Sequence, residues 1–330
     1  MTDETAFRRL VETHEAELRA HCYRMLGSVQ DAEDALQDTL LGAWRGLEAF
    51  EGRSSARTWL YRIATNACLK IIERRAKRVL PMDYGPAADP HDGTAEPVAE
   101  SVWVEPFPDG GLGGDLAGPD ARYELRESVE LAFVAALQHL PARQRAVLVM
   151  RDVLGFTGSE VAAVLETTPE AVYSALQRAH RAVDNQLPER SQQATLRSLG
   201  DGRIRRLVEG YVDAWERADV DALAAMLTED AIMAMPPQPT WFRGRAAVAA
   251  FLRAVPLAGR LDSRLIPLRA NGQLAFGHYT RDDEENGYTP HGVHVLTLRG
   301  SEIEDVTVFR TPEAVRRVGL PMSFPAKPGQ

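Results

Sequence analysis

Residues 79–120 limit the architecture of this chain more than any other stretch. They hold nine carboxylates and no lysine or arginine, and they are rich in proline and glycine. A composition of this kind buries little apolar surface and stays extended. The chain is therefore expected to divide into a domain over 1–78, an acidic Pro/Gly-rich linker over 79–120, and further domains beyond it. Within the linker, Trp103-Val104-Glu105-Pro106-Phe107-Pro108-Asp109 is an aromatic island that a spacer does not need, so it is expected to dock on something.

The segments on either side read as helix. In 5–78, Leu18, Cys22, Met25 and Leu26 recur on one face, and Ala35, Leu36, Leu40 and Trp44 on another. The turn at 27–31 separates two helices, with Ser28 and Asp31 as possible caps of the second. In 121–190 the expected helices are Glu124–Leu140, Ala142–Val153, Thr157–Leu165 and Pro169–Val183. The last two flank the short turn Glu166-Thr167-Thr168, a helix-turn-helix pattern with Thr168 as N-cap and Pro169 at the first helical position. After a polar break near 188–202, helices at 203–227 and 244–254 precede strand-like runs at 264–269, 273–280, 292–299 and 303–309. Asn271-Gly272 and Arg299-Gly300-Ser301 are hairpin signals. The expected fold is thus multi-domain: two all-α domains and a C-terminal α+β domain over 203–318, with 319–330 as a tail.

Composition excludes several classes. Charge interrupts every apolar stretch before it is long enough to cross a bilayer, and the start MTDETAFRRL has no apolar signal core, so a cytoplasmic protein with no membrane contact is expected. The two cysteines, Cys22 and Cys68, lie in apolar helical contexts without a CxxC or a histidine cluster; they read as packed thiols, and no metal or cofactor is expected.

The net charge of −9 is carried by the linker, and the remaining residues balance. Residues 1–50 are acidic, whereas 51–78 carry eight bases against two acids, with Trp59 and Tyr61 among them. Basic side chains attract phosphates, and aromatic rings offer stacking surfaces for unpaired bases. Helical spacing gives Leu60, Ile63, Ala67 and Ile71 to the core and leaves Arg57, Trp59, Tyr61, Arg62, Asn66 and Lys70 for nucleic acid. By itself the segment is equally compatible with an amphipathic helix whose arginines are solvated. The second helix of the helix-turn-helix is expected to expose Glu170, Tyr173, Ser174, Gln177, Arg178 and Arg181, among which Gln and Arg suit base edges in a major groove.

Taken in order, HCYRMLGSVQDAEDALQDTLLGAWRG, FEGRSSARTWLYRIATNACLKIIERR and LPARQRAVLVMRDVLGFTGSEVAAVL with its following helix resemble the extracytoplasmic-function sigma factors of bacterial RNA polymerase over about residues 7–187. The resemblance implies a sigma region 2 over 1–78 and a sigma region 4 over 121–190, with core polymerase (beta-prime and beta subunits) and promoter DNA as partners. It implies polymerase docking through Asp31, Asp34, Gln37, Asp38 and Leu41. Minus-ten recognition and melting fall to Arg53, Ser54, Arg57, Trp59, Tyr61, Arg62, Asn66 and Lys70, and minus-thirty-five recognition to Thr168, Glu170, Tyr173, Ser174, Gln177, Arg178 and Arg181. Lys70 stands where many relatives have Asp, and Tyr173 and His180 where they often have Arg, so promoter preference does not carry over. The acidic linker would either thread the polymerase's positively lined channel or act as a solubilising spacer.

Residues 203–318 resemble the SnoaL-like branch of the NTF2 fold, a helix-wrapped α+β cone, on VEGYVDAWERADVDALAAMLTEDAIMAMPP, WFRGRAAVAAFL and EDVTVFRTPEAV. With the WVEPFPD island, the combination is similar to the sigma group with a fused SnoaL-like domain, the actinobacterial SigG-type factors. Trp215, Trp241, His278 and His294, with Asp282 and His291, are possible pocket residues for a small-molecule ligand. The expected role is regulation rather than catalysis. Two other functions compete with a sigma factor: a helix-turn-helix regulator with a ligand-sensing domain, and a SnoaL-type enzyme carrying DNA-binding domains.

Overall fold

A computed structural model describes residues 2–47, 50, 55–99, 102–111, 126–184, 186–258, 262–282 and 287–325. The chain forms two compact units, Met1–Arg78 with Gly110–Glu189 and Val79–Asp109 with Arg190–Gln330. Among the described residues no helix is long and apolar enough to cross a membrane.

The first unit is helical. Its helices α1 (Thr2–Leu26), α2 (Val29–Gly46) and α3 (Ala56–Arg74) close on a core that includes Leu18, Cys22, Met25, Ala32, Ala35, Leu60, Ala64 and Cys68. Ser28 caps α2 by accepting from the Asp31 amide at 3.1 Å, and Ser55 caps α3 by accepting from the Thr58 amide at 3.0 Å. Gly27 turns the chain between α1 and α2 at φ 67°, where a side chain would also meet Gln138.

Helices α4 (Leu131–Gln138), α5 (Ala142–Leu148), α6 (Gly158–Val164) and α7 (Pro169–Val183) complete the unit, and a π-helical turn over Val149–Val153 follows α5. The single helix expected over Glu124–Leu140 is interrupted at residues 128–130, with 126–127 helical and α4 beginning at Leu131. Thr157 and Glu160 form a capping box on α6, and Thr168 caps α7 with Pro169 at its first position.

The second unit is built on a sheet in the order β2 (Trp241–Arg243), β1 (Leu227–Ala234), β6 (Glu302–Phe309), β5 (Gly287–Arg299), β4 (Gln273–Asp282), β3 (Ser263–Ala270), with β7 (Phe324–Pro325) on β5. Among the described strands of this sheet, only β1 and β6 pair in parallel. The Asn271-Gly272 turn has both residues at positive φ, 55° and 68°, which sets the Ala270–Gln273 register of the β3–β4 hairpin. Helices α8 (Gln192–Leu199), α9 (Asp201–Glu216), α10 (Val220–Ala225) and α11 (Arg245–Ala254) bury Leu196, Tyr211, Trp215, Leu223, Val248 and Phe251 in one core with Phe276, Leu296, Val306 and Val308 of the sheet.

Three expectations are corrected here. The acidic stretch does not remain an extended linker through residue 109: it straps the sheet unit. Trp241 donates its indole N–H to the Gly85 carbonyl at 2.8 Å, and the Ala88 and Val98 amides donate to the Trp241 and Pro237 carbonyls at 2.8 and 2.9 Å. At the other end the Phe107 backbone and Asn271 clasp each other, with Phe107 N–H donating to the Asn271 side-chain Oδ1 at 2.9 Å and Asn271 N–H to the Phe107 carbonyl at 2.8 Å. Trp103, Val104 and Phe107 are buried; at about 1.5–3 kcal/mol each, their burial offsets the ordering of a stretch otherwise poor in apolar residues.

Second, the polar break contains α8, whose Gln192 side chain both donates to the Leu298 carbonyl (3.0 Å) and accepts from its amide (2.7 Å), filling the ladder beside a bulge in β5. Third, the stretch after 318 is not a loose tail through residue 325. Leu320 sits over Gly277, where a Cβ would leave no room, and Phe324 packs on Tyr279 and Tyr288 with centroids 4.6 and 5.2 Å away. A further helix, α12 (Pro312–Arg317), precedes it.

Candidate functional site

The outward face of α2 carries Asp34, Gln37, Asp38 and Leu41, all exposed. Asp31 does not join them. It is buried in the first turn, where its carboxylate accepts from Arg78 at 2.8 Å and also meets Arg75. A carboxylate with two guanidinium partners is structural, not a free docking acceptor. Trp44, which helical spacing assigned to the core, is instead 49% exposed beside Leu41 at 47%, with the Phe7 ring edge-on at 5.2 Å. The continuation Asp34, Asp38, Leu41, Trp44 at three- and four-residue steps was the available signal.

Helix α3 overturns part of the nucleic-acid reading. Trp59 is buried against Phe50, its ring stacked at 4.7 Å, and Tyr61 is fully buried with its ring edge-on to Phe156 at 5.2 Å. Neither ring is open to a base. Burial raises the Tyr61 phenol well above its ordinary pKa and pulls the neighbouring His21 imidazole down to about 3, with its Nε2 3.0 Å from Thr65 Oγ1. Arg57 lies over the Tyr61 and Phe156 rings at 5.1 and 4.5 Å and donates to the Leu154 carbonyl at 3.0 Å, so it ties α3 to the α5–α6 connection. Arg62, Asn66 and Lys70 remain exposed at four-residue steps, a single polar stripe along α3 that Arg74 extends. Arg53 and Ser54 fall outside the described residues.

Helix α7 presents Glu170, Tyr173, Ser174, Gln177, Arg178 and Arg181 outward and buries Val172, Ala179 and Val183. Thr168 Oγ1 accepts from the Ala171 amide at 3.3 Å, so this residue serves as a cap. Backbone hydrogen bonding in the first turn holds the Glu170 carboxyl below its usual range. Tyr173 is 53% exposed with Arg151 6.0 Å from its ring, and His180 Nε2 lies 2.6 Å from Asp152.

In the sheet unit, α9 and strands β3, β4 and β5 assemble a buried chain of Tyr211, His294, His278 and Ser263. Tyr211 Oη to His294 Nδ1 is 2.9 Å, His294 Nε2 to His278 Nδ1 is 3.3 Å, and His278 Nε2 to Ser263 Oγ is 3.1 Å. Either hydrogen-bond direction along the chain satisfies both rings as neutral imidazoles. Burial is the leading cause holding the histidines neutral: His294 is lowered to about 3, His291 to about 4, and His278 well below its ordinary value. Trp215 lies edge-on to His294 and His278 at 4.6 and 5.5 Å, and its buried indole N–H has no acceptor. Trp241 belongs elsewhere, holding the strap, and Asp282 closes the β4–β5 hairpin opposite Gly287. Among the described residues no cluster of His, Cys, Asp or Glu is suited to a metal ion.

Comparison with known proteins assigns segments of the chain to families. Residues 10–78 match the Sigma-70 region 2 model, 130–183 the Sigma-70 region 4 model, and 208–306 the SnoaL-like domain model. The chain is 42% identical over 315 residues to the ECF RNA polymerase sigma factor SigG of Mycobacterium tuberculosis, covering 95% of this chain and 83% of that protein. The ECF RNA polymerase sigma-E factor of Escherichia coli is 26% identical over 185 residues, 56% of this chain and 88% of that one. Among solved structures, the Mycobacterium tuberculosis extracytoplasmic function sigma factor SigJ superposes with a TM-score of 0.59 at 20% identity, covering 96% of this chain and 99% of that one, a likeness of fold. With both helical segments and the sheet unit accounted for, the chain belongs to the ECF sigma factors of bacterial RNA polymerase.

Proposed function

We propose that this promoter-specificity subunit divides its work among three outward faces. The α2 face of Asp34, Gln37, Asp38, Leu41 and Trp44 docks on the beta-prime subunit of core polymerase, with the beta subunit as a further contact. The α3 stripe of Arg62, Asn66 and Lys70, with Arg53 and Ser54, holds the minus-ten element, and α7 reads the minus-thirty-five element as duplex. The observation that carries this reading is the split of each helix into a buried apolar face and an exposed polar one. Carboxylates around Leu41 and Trp44 suit a basic protein partner; cations on α3 suit phosphates; Gln177 and Arg178 suit base edges.

The SnoaL-like domain regulates this activity. Both ring nitrogens of His278 and of His294 are engaged within the protein, which leaves neither ring a nitrogen with which to move a substrate's proton. Regulation has a covalent route: the strap is part of the connection between α3 and α4, so a change in the domain's sheet reaches the segment joining the DNA-reading helices. A small ligand with an acceptor group for the Trp215 indole N–H is one such change.

Transcription in vitro with core polymerase tests the proposal. The full chain is expected to support promoter-dependent initiation, and Leu41→Asp to abolish it while leaving duplex binding intact. Tight duplex binding without any transcript would favour a conventional regulator instead. Asn271→Ala, which removes a strap contact, is expected to change transcript yield; an unchanged yield removes the regulatory role of the strap.

A further inference from the structure

Near its N-terminal end α7 exposes a large apolar ring, that of Tyr173, at 53%. The ring does not project freely. A Cβ on Gly158 would come within 3.3 Å of Tyr173 Cζ and Oη and 3.4 Å of Cε2, so the hydroxyl end of the ring lies along the start of α6. Arg151, held by donating to the Phe156 carbonyl, stands 6.0 Å from the ring centroid.

Gly158 has no other evident use. Glycine is disfavoured in a helix relative to alanine, and the backbone at Gly158 does not take the positive φ that would call for it. Room for the Tyr173 ring is what the missing side chain provides. The contact in turn orients the ring: with Cε2, Cζ and Oη against α6, the edge farthest from α6 is hydrocarbon. An aromatic group already fixed by its neighbours loses little rotamer freedom when a partner meets it.

The N-terminal part of a recognition helix is the part that meets base edges in the major groove. Those edges carry donors and acceptors on every base pair, and the apolar group among them is the 5-methyl of thymine. We infer that Tyr173 is a specificity-determining residue that reads a thymine of the minus-thirty-five element through this methyl group, with Gly158 and Arg151 as the positioning residues that hold its ring. The inference rests on α7 being the minus-thirty-five helix. Gln177, exposed one turn further along the same face, is left to address a neighbouring polar edge.

Binding of duplex DNA by the holoenzyme, the full chain on core polymerase, tests the inference. A site is enriched from duplexes randomised over the minus-thirty-five element, and each thymine in it is replaced in turn by deoxyuridine, which lacks only the methyl group. One such replacement is expected to weaken binding about fourfold, the effect of burying a single methyl. Tyr173→Phe is expected to keep that difference, and Tyr173→Ala to abolish it at that base pair alone. Gly158→Ala introduces a residue that favours helix, so α6 is expected to be at least as stable while the thymine preference falls; a glycine with a merely structural role would change stability and leave the preference as it was. Sequence-specific binding that no deoxyuridine replacement alters would overturn the inference and spare the minus-thirty-five reading. So would a methyl effect that survives Tyr173→Ala, or an equal loss of affinity for thymine and deoxyuridine duplexes in Tyr173→Phe, which would make the hydroxyl a phosphate contact. Failure to enrich any duplex site would overturn the minus-thirty-five reading together with it.

Discussion

Acidification sets two groups of the sheet unit against each other. His294 and His291, lowered to about 3 and about 4, and His278, lowered well below its ordinary value, bind fewer protons folded than unfolded. Such groups contribute stability that is complete above the unfolded pKa of about 6.5 and is lost as pH falls below it. At pH 5.5 His294 and His291 each cost about 1.4 kcal/mol, about 3 kcal/mol together, and His278 acts in the same direction. Tyr211, Trp215, Ser263 and the Arg310 cation face the cluster, and Arg310 adds to the depression of His278 and His291. Asp305 on β6 acts in the opposite sense. Burial raises its carboxyl to about 7 despite the Thr307 hydroxyl donating to it at 2.7 Å. It binds a proton in the folded state before the unfolded chain does, and between pH 7.5 and 5.5 it returns about 2 kcal/mol. The histidines win, His294 and His291 alone by about 1 kcal/mol. Hydrogen exchange of β4 and β5 amides, corrected for intrinsic rates, reads this unit by itself. Opening free energy is expected to fall by at least about 1 kcal/mol over that pH range, by at least about 3 in Asp305→Asn, and by less in His294→Gln than in the unsubstituted chain. Protection unchanged with pH, or an Asp305→Asn slope equal to that of the unsubstituted chain, would refute the opposed-titration account.

Three further outcomes are expected. Arg178→Ala should weaken duplex minus-thirty-five binding by about 1–3 kcal/mol in a sequence-dependent manner, whereas Lys70→Ala should lower the salt dependence of promoter binding by about one counter-ion; titrations at several salt concentrations separate the two. Asp31→Ala removes the buried carboxylate that meets Arg75 and Arg78 and should destabilise the helical unit by about 3–5 kcal/mol in urea unfolding; a loss under about 1 kcal/mol would show that the pair is idle. Phe107→Ala, at a fully buried strap position, should cost the sheet unit about 3–5 kcal/mol, and protection of the Asn271 amide in hydrogen exchange should fall with it.

Much of the organisation was legible from periodicity and turn chemistry. Thr168-Pro169 fixed the start of α7, and Asn271-Gly272 fixed the β3–β4 hairpin, because both depend on a few neighbouring residues. The outward side chains of α7 followed from its start. On α3 the same reasoning failed in part: of Leu60, Ile63, Ala67 and Ile71, which fit helical spacing, only Leu60 is buried, whereas Tyr61, Ala64 and Cys68 fit it too and are all buried. Composition cannot rank two overlapping stripes when the deciding contact, Phe156 on Tyr61, lies far along the chain. Asp31 was misread for the same reason, since Arg78 meets it from 47 residues away. The strap was hidden by its charge, although its aromatic island marked the place where it docks. No local signal distinguishes a histidine chain such as His294–His278 from two surface rings; the strand register and the Tyr211 hydroxyl decide it.

The strap also bears on how the SnoaL-like domain can be separated from the rest of the protein. The chain enters the sheet unit at Val79, leaves after Asp109 and returns at Arg190, so the domain is at once an insertion and a tail. A stop codon near residue 190 removes the sheet but leaves Trp103, Val104 and Phe107 behind without the surface that buries them. Such a truncate is an apolar-patched, aggregation-prone protein, and its behaviour reports the orphaned strap as much as the missing domain. Excising the module cleanly takes two deletions, one of the strap and one of the chain after the helix-turn-helix.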